Sequence, residues 1–104
     1  MIALIEQHQS AIRALCRQHR ARRLELFGSA TADDAFDTDT SDLDFLVEFE
    51  PLTPAERADS YLGLLFALEQ LFNRPIDLVE SDAIKNPYFL RAIAPTRQVL
   101  YDAA

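Results

Sequence analysis

The chain has 104 residues, 49% of them hydrophobic, and a formal net charge of −7; this length fits one hydrophobic core, so we expect a single domain, residues 1–104. No apolar run approaches the ~20 residues of a transmembrane helix, which predicts a cytoplasmic protein that does not contact a membrane. After residue 23 the chain has sixteen acidic and five basic residues, which argues against DNA or RNA as a direct ligand, because phosphate contacts need clustered Lys and Arg.

The first part of the chain predicts a helix followed by a strand. Residues 2–20 carry apolar side chains at helical spacing, and Cys16 falls among them as an expected core residue. Residues 23–27, RLELF, alternate as a strand does and lead directly into Gly28–Ser29. The polar residues 30–40 predict a short helix or turn and a loop.

The middle of the chain predicts two strands joined by a long helix. In SDLDFLVEF we expect a strand over residues 43–49. TPAE at residues 53–56 has the pattern of a capping box and begins a helix that runs to about Phe72. The apolar arc of this helix is wider than one stripe, so the helix is either central to the core or shared with a partner. PIDLVE, residues 75–80, predicts a third strand, with Asp77 inside an apolar run.

The tail predicts a final helix that begins at Asn86–Pro87 and a short final strand, QVLY, over residues 98–101. The order of helices and strands favours an α/β (α+β) fold, with a small mixed sheet flanked by helices.

Two carboxylates stand at the start of the strand in SDLDFLVEF. Residues two apart on a strand point the same way, so Asp42 and Asp44 share one face while Leu43 and Phe45 pack on the other. Two ionised carboxylates ~4 Å apart repel by ~4 kcal/mol at an effective dielectric of about 20. Residues 33–50 hold eight acids and no Lys or Arg to offset this repulsion. The sequence therefore indicates that a cation or a proton is needed.

A divalent metal is one remedy, with Asp77 converging from another strand as a third ligand, and a proton shared between two carboxyls is another. Carboxylate and water ligands suit Mg²⁺ or Mn²⁺ rather than zinc. A purely structural alternative also stands, in which Asp42 caps a turn, Asp44 lies on an edge and Asp77 bonds at a strand end.

A calcium loop is a further alternative for residues 37–48. The first, third, fifth and twelfth positions of an EF-hand-like loop fall on Asp37, Asp39, Ser41 and Glu48. However, the sixth position is Asp42 where a glycine is needed, and FLVEF predicts a strand where an EF-hand has its second helix. The sequence therefore disfavours calcium.

The order of the motifs carries a family resemblance. Gly28 allows a close backbone approach to a ligand, and Ser29 offers hydroxyl and amide donors to a phosphate. LFGS at 26–29, SDLDFLVEF at 41–49 and IDLVE at 76–80 together resemble the DNA polymerase β-like nucleotidyltransferase superfamily. The length and the NPYFLRAI and VLYD segments resemble, more narrowly, the minimal nucleotidyltransferase (MNT) family, the antitoxin half of HEPN–MNT toxin–antitoxin pairs.

The resemblance implies a polymerase β-like core and a two-metal reaction with ATP as substrate. Asp42 and Asp44 would ligate two Mg²⁺ ions, with Mn²⁺ an alternative, and Asp77 would complete the acceptor-side ion and help to polarise the hydroxyl. Gly28 and Ser29 would hold the β and γ phosphates. The resemblance further implies transfer of AMP from ATP to a tyrosine of a HEPN-family toxin. It is compatible with a homo-oligomer of this chain or a hetero-oligomer with a partner.

The sequence is compatible with two other functions. One is a non-catalytic antitoxin whose wide apolar arc, residues 58–72, and Arg-rich first helix occlude the toxin. The other is nucleotidyl transfer to a small molecule or an RNA end, although relatives with those substrates usually carry additional domains.

Overall fold

The structure is a computed structural model that describes residues 3–28, 42–83 and 86–103. Its helices and strands, in chain order, are α1 (Ala3–Gln7), α2 (Gln9–Gln18), β1 (Ala21–Phe27), β2 (Leu43–Phe49), α3 (Pro54–Phe72), β3 (Ile76–Glu80), α4 (Pro87–Ile93) and β4 (Gln98–Asp102). Short 3₁₀ turns, Ser81–Ala83 and Ala94–Thr96, follow β3 and α4. The predicted α/β fold with a mixed sheet flanked by helices is confirmed.

The four strands form one sheet in the order β3-β2-β1-β4. β1 pairs antiparallel with both β2 and β4, while β2 and β3 are parallel and α3 forms the crossover between them. Because β1 runs opposite to its neighbours, its C-terminal end lies beside the starts of β2 and β3. The residues that follow β1 and those that open β2 and β3 therefore meet at one end of the sheet.

Helices α1, α2 and α3 bury one face of the sheet. On β2, Leu43, Phe45 and Val47 are buried in this core, and Asp44 and Glu48 alternate with them and are half-buried. The helices contribute Ile5, Ile12, Cys16, Leu64, Leu68 and Phe72. The expected placement of Asp44 on the face opposite Leu43 and Phe45 is thus confirmed. Leu46, on the same face as Asp44, is buried in a second cluster with Phe27 and Ile93. Burial raises the pKa of the Cys16 thiol to about 12, as suits a core residue.

The sequence predicted one continuous helix over residues 2–20. In the structure this segment breaks at His8 into α1 and α2. The His8 ring donates to the Leu4 carbonyl at 2.8 Å and packs edge-on against Phe72, with 5.2 Å between ring centroids. These contacts draw the ring back over the preceding turn, and the His8 backbone (φ −111°, ψ 12°) leaves the helical region. Helical spacing alone does not reveal such a break.

Helix α3 begins as predicted. The Thr53 hydroxyl accepts from the Glu56 amide at 3.2 Å, and the Glu56 carboxylate accepts from the Thr53 amide at 3.0 Å, which completes the capping box. Along α3 one face is buried in the core, whereas Leu62 and Phe66 remain 47% and 58% exposed. In the described ranges no helix has both the length and the apolar character needed to cross a bilayer.

Candidate active site

Two of the predicted acids, Asp44 and Asp77, lie on the sheet face opposite α1–α3. Asp44 pairs with Asp77 across the parallel strands β2 and β3, and it pairs with Phe27 across the antiparallel strands β1 and β2. Neighbouring strands lie ~4.8 Å apart, so these three residues form one cross-strand row. We call Asp44 and Asp77 the acid pair. The prediction that Asp77 reaches Asp44 from another strand agrees with this register.

Gly28 closes the row at the end of β1. Its φ of +79° is in the left-handed region, and a Cβ at this position would lie 2.5 Å from Oδ2 of Asp44. The Gly28 amide donates to the Thr96 hydroxyl at 3.2 Å, and that hydroxyl donates to the Ile93 carbonyl at 2.8 Å. Gly28 therefore leaves room for the Asp44 carboxylate. Thr96 links the Gly28 backbone to the turn that follows α4.

Among the described residues, no cationic side chain forms an ion pair with the acid pair. Desolvation, followed by the charges of Asp77 and Asp42, raises the pKa of the Asp44 carboxyl. None of the ion pairs between described residues involves any of these three aspartates. The repulsion inferred from the sequence is therefore present in the fold, and positive charge bound at this face would relieve it.

Asp42 stands apart from the pair. It is exposed and precedes β2 by one residue, close enough for its charge to act on Asp44. Within residues 3–28, 42–83 and 86–103, no three Asp, Glu, His or Cys side chains converge closely enough to hold a metal ion as they stand.

Ser29, the second predicted phosphate-binding residue, is outside the described residues, as are Asp37, Asp39 and Ser41 of the calcium alternative. Glu48 of that alternative lies in β2, 3.6 Å from Arg22.

A cavity of about 580 Å³ opens over the acid pair. Its polar lining comes from Asp44, Asp77 and Asn86, and its apolar lining from Phe27, Val79, Ala83 and Phe89. The rings of Phe27 and Phe89 meet nearly at right angles, 85°, with centroids 6.1 Å apart. The cavity thus has carboxylates at one side and two aromatic rings at another.

Comparison with known families identifies the domain. The model of the nucleotidyltransferase domain matches residues 9–100. The chain belongs to the nucleotidyltransferase domain family. No curated protein matches it.

Solved structures place this nucleotidyltransferase among small relatives. A structure described as a minimal nucleotidyltransferase shares 27% identity with it over 93% of this chain and 95% of that one, with a TM-score of 0.66. A toxin–antitoxin complex with AMP-PNP shares 18% identity over 90% of this chain and 73% of that one, at a TM-score of 0.66. A complex of the tri-AMPylated HEPN toxin of Shewanella oneidensis with its MNT antitoxin shares 19% identity over 93% of this chain and 71% of that one, with a TM-score of 0.58. These neighbours are the kinds of protein that the narrower resemblance predicted.

Several residues that shape the nucleotidyltransferase site escaped sequence analysis. Phe27, Thr96, Asn86 and Phe89 were not singled out as site residues. Phe27 carried a signal, because it directly precedes Gly28 and faces Asp44 once β1 and β2 are paired antiparallel. Asn86 and Phe89 lie in the NPYFLRAI segment, but nothing in the sequence linked them to the acids, since only the packing of α4 over the sheet brings them there.

Proposed function

We propose that this nucleotidyltransferase, acting as a single cytoplasmic domain, is an antitoxin that transfers AMP from ATP to a tyrosine hydroxyl of a HEPN-type toxin. The observation that carries the proposal is the acid pair, in which Asp44 and Asp77 stand in register with no cation from the described residues. The complexes with AMP-PNP and with an AMPylated HEPN toxin support the choice of nucleotide and acceptor.

The donor set fits Mg²⁺. The site offers carboxylate oxygens, and Mg²⁺ is usually held by one or two carboxylates together with water and substrate phosphates. A preformed three-ligand cluster is therefore not required. Asp44 and Asp77 would hold the two ions with Asp42, and Mn²⁺ would fit the same oxygens. When bound, these ions would neutralise the triphosphate and lower the pKa of the acceptor hydroxyl.

The remaining roles follow from position. Asp77 is exposed on the edge strand β3, so an acceptor hydroxyl can approach it from the side away from β2 and donate a hydrogen bond to it. Asp44 lies between Asp77 and Gly28, where it would contribute to both ions. We propose that Gly28 and Ser29 hold the β and γ phosphates. Gly28 supports this role indirectly, because it leaves the room that the Asp44 carboxylate occupies.

The test is to incubate the protein with its cognate HEPN toxin, ATP and Mg²⁺ and to measure the mass of the intact toxin. We expect the mass to rise by whole AMP groups, and we expect Asp44→Asn and Asp77→Asn to abolish the rise. Asp59→Asn, on the exposed side of α3, is the matched control and should transfer AMP normally. Neutralisation of the toxin without any gain in mass would overturn the proposal.

A second candidate is a non-catalytic antitoxin that occludes the toxin. The observation in its favour is the exposure of Leu62 and Phe66, which lie four residues apart and so share one face of α3. A partner helix or groove would bury this apolar surface. For this candidate, Leu62→Ser with Phe66→Ser would end neutralisation while Asp44→Asn would not. The catalytic proposal predicts that Asp44→Asn ends covalent silencing.

A further inference from the structure

We propose that Phe27 and Phe89, which we call the aromatic corner, bind the nucleobase of ATP in the cavity over the acid pair. This inference rests on the proposed function and adds the part of the site that recognises the base. It assigns a role to two aromatic side chains, Phe27 of LFGS and Phe89 of NPYFLRAI, for which the resemblance implied none.

The first step is the shape of the cavity. About 580 Å³ lies within the range of small-molecule sites, ~300–1,000 Å³. Phe89 is 37% exposed, although phenylalanine is usually buried, and its ring lines this cavity. The Phe27 ring supports it edge-on from the sheet at 6.1 Å between centroids. The corner therefore presents an open aromatic surface on a fixed support.

The second step is charge. A nucleoside triphosphate has an anionic end and an uncharged planar end. The anionic end must lie where cations can bridge it to Asp44 and Asp77, since the bare carboxylates repel phosphate. The planar end then meets the apolar lining of the same cavity, which Phe27, Val79 and Phe89 form. Stacking of a base on an aromatic side chain typically tightens binding by about tenfold or more.

The reaction involves a second planar ring, that of the acceptor tyrosine, which approaches the site from a different side than the base. Phe27 lies on β1, two strands and ~10 Å from Asp77 on β3. Asp77 is at the open edge where the acceptor approaches, whereas Phe27 directly precedes Gly28 on the phosphate side. The corner is therefore on the nucleotide side of Asp44.

Asn86 adds a polar contact in this cavity. Its Oδ1 accepts from the Tyr88 amide at 2.9 Å and caps α4, which fixes the orientation of the side-chain amide. The two N–H groups on Nδ2 remain as donors. Adenine has ring nitrogens that accept hydrogen bonds, so Asn86 can donate to the base that the aromatic corner holds.

The experiment compares two ligands that share the phosphates and differ in the nucleoside. ATP and inorganic tripolyphosphate are each titrated, with Mg²⁺, into wild-type protein, Phe89→Ala and Phe89→Tyr, and calorimetry gives the Kd. We expect Phe89→Ala to weaken ATP binding by at least tenfold and to leave the Kd of tripolyphosphate unchanged. Phe89→Tyr, which keeps the ring, should bind ATP as the wild type does.

Tyr88→Ala is the matched control, because Tyr88 is the adjacent aromatic residue of α4, is 75% exposed and does not line the cavity. It should leave both Kd values unchanged. Phe89→Leu replaces Phe89→Ala if the alanine variant melts below the assay temperature, since leucine keeps the apolar contact with Phe27 and lacks the aromatic face.

The outcomes separate this inference from the proposed function. If wild-type protein binds neither ligand, the proposed function fails and the base site with it. If wild-type protein binds ATP and transfers AMP, but Phe89→Ala binds ATP equally well or loses both ligands equally, only the base site is overturned. A rise in KM for the toxin with an unchanged Kd for ATP would likewise overturn it, by assigning the corner to the acceptor.

Discussion

The Asp44 carboxylate fills the space in which a side chain on Gly28 would begin. A Cβ on Gly28 would lie 2.5 Å from Oδ2 of Asp44, and the φ of Gly28 is +79°. A glycine near a phosphate site is usually explained by the close approach of the ligand. Here the protein's own carboxylate already requires it. Gly28 of LFGS and Asp44, the second aspartate of SDLDFLVEF, therefore form one steric unit.

Gly28→Ala should lower the stability of the fold modestly and weaken nucleotide binding strongly. The left-handed backbone should cost about 1–2 kcal/mol for a residue with a Cβ. The larger effect is expected on nucleotide binding, because the Asp44 carboxylate must move away from its position beside Asp77. We expect the stabilisation by Mg²⁺ and ATP in thermal melts to be lost in this variant.

Gly63→Ala is the control for that experiment. A Cβ on Gly63 would also meet a side chain, Nδ1 of His19 at 2.7 Å, but this contact lies on α3, away from the acids. Alanine recovers up to about 1 kcal/mol of helix propensity at such a position. The Mg²⁺–ATP shift should remain as in wild type. An equal loss of the shift in both variants would refute the steric link between Gly28 and Asp44.

Asp44→Asn should stabilise the free protein at neutral pH. Because desolvation and the charges of Asp77 and Asp42 raise the pKa of Asp44, the folded state holds this proton more tightly than the unfolded state. The contribution of Asp44 therefore favours folding at low pH and is lost as pH rises from the unfolded pKa, about 4, through the raised folded pKa. The variant should melt above wild type at pH 7, and the difference should shrink as the pH approaches 4. A constant difference between these pH values would contradict the assignment.

Tyr61→Phe should weaken the support of β3. The Tyr61 hydroxyl donates to the Leu78 carbonyl at 2.6 Å, next to Asp77 on the edge strand. Loss of this bond should cost about 1 kcal/mol in urea unfolding. Since Asp77 is the acceptor-side residue in our proposal, we also expect a lower kcat with little change in the Kd of ATP. Tyr88→Phe, at an exposed ring, should change neither value, and an unchanged free energy of unfolding in Tyr61→Phe would refute the prediction.

Arg97→Met should destabilise the fold through Glu25. Glu25 is only 4% exposed, and Arg97 holds it with two hydrogen bonds, 3.1 Å from Nε and 2.6 Å from Nη2. Arg23 is a more distant partner at 3.7 Å. We expect a loss of about 2 kcal/mol in chemical denaturation. Arg97→Lys should recover only part of it, because an ammonium group lacks the planar fork.

The double variant Glu25→Leu/Arg97→Met tests the reason for that loss. Replacing both partners removes the buried charge along with its counterion, so the double variant should be more stable than Arg97→Met alone. A double variant as unstable as the sum of the single variants would show that the two side chains act independently.

Local sequence patterns determined most of the helices and strands. The alternation in SDLDFLVEF predicted the strand over residues 43–49 with its acids turned from the core, and Thr53, Pro54 and Glu56 predicted where α3 begins. Both signals involve residues within four positions of one another, so they act through the backbone geometry of a single element. The position of Asp77 inside an apolar run already indicated that it joins the other acids, and the family resemblance implied the same.

Only the tertiary structure decided which side chains share the site. The strand register sets Phe27, Asp44 and Asp77 in one row, and the packing of α4 adds Phe89. It also divided the apolar arc of α3 into a buried face and an exposed one, and it broke the first helix at His8. Each of these depends on contacts between residues far apart in the chain. Periodicity specifies which face of an element is apolar, but the pairing of whole elements specifies what that face meets.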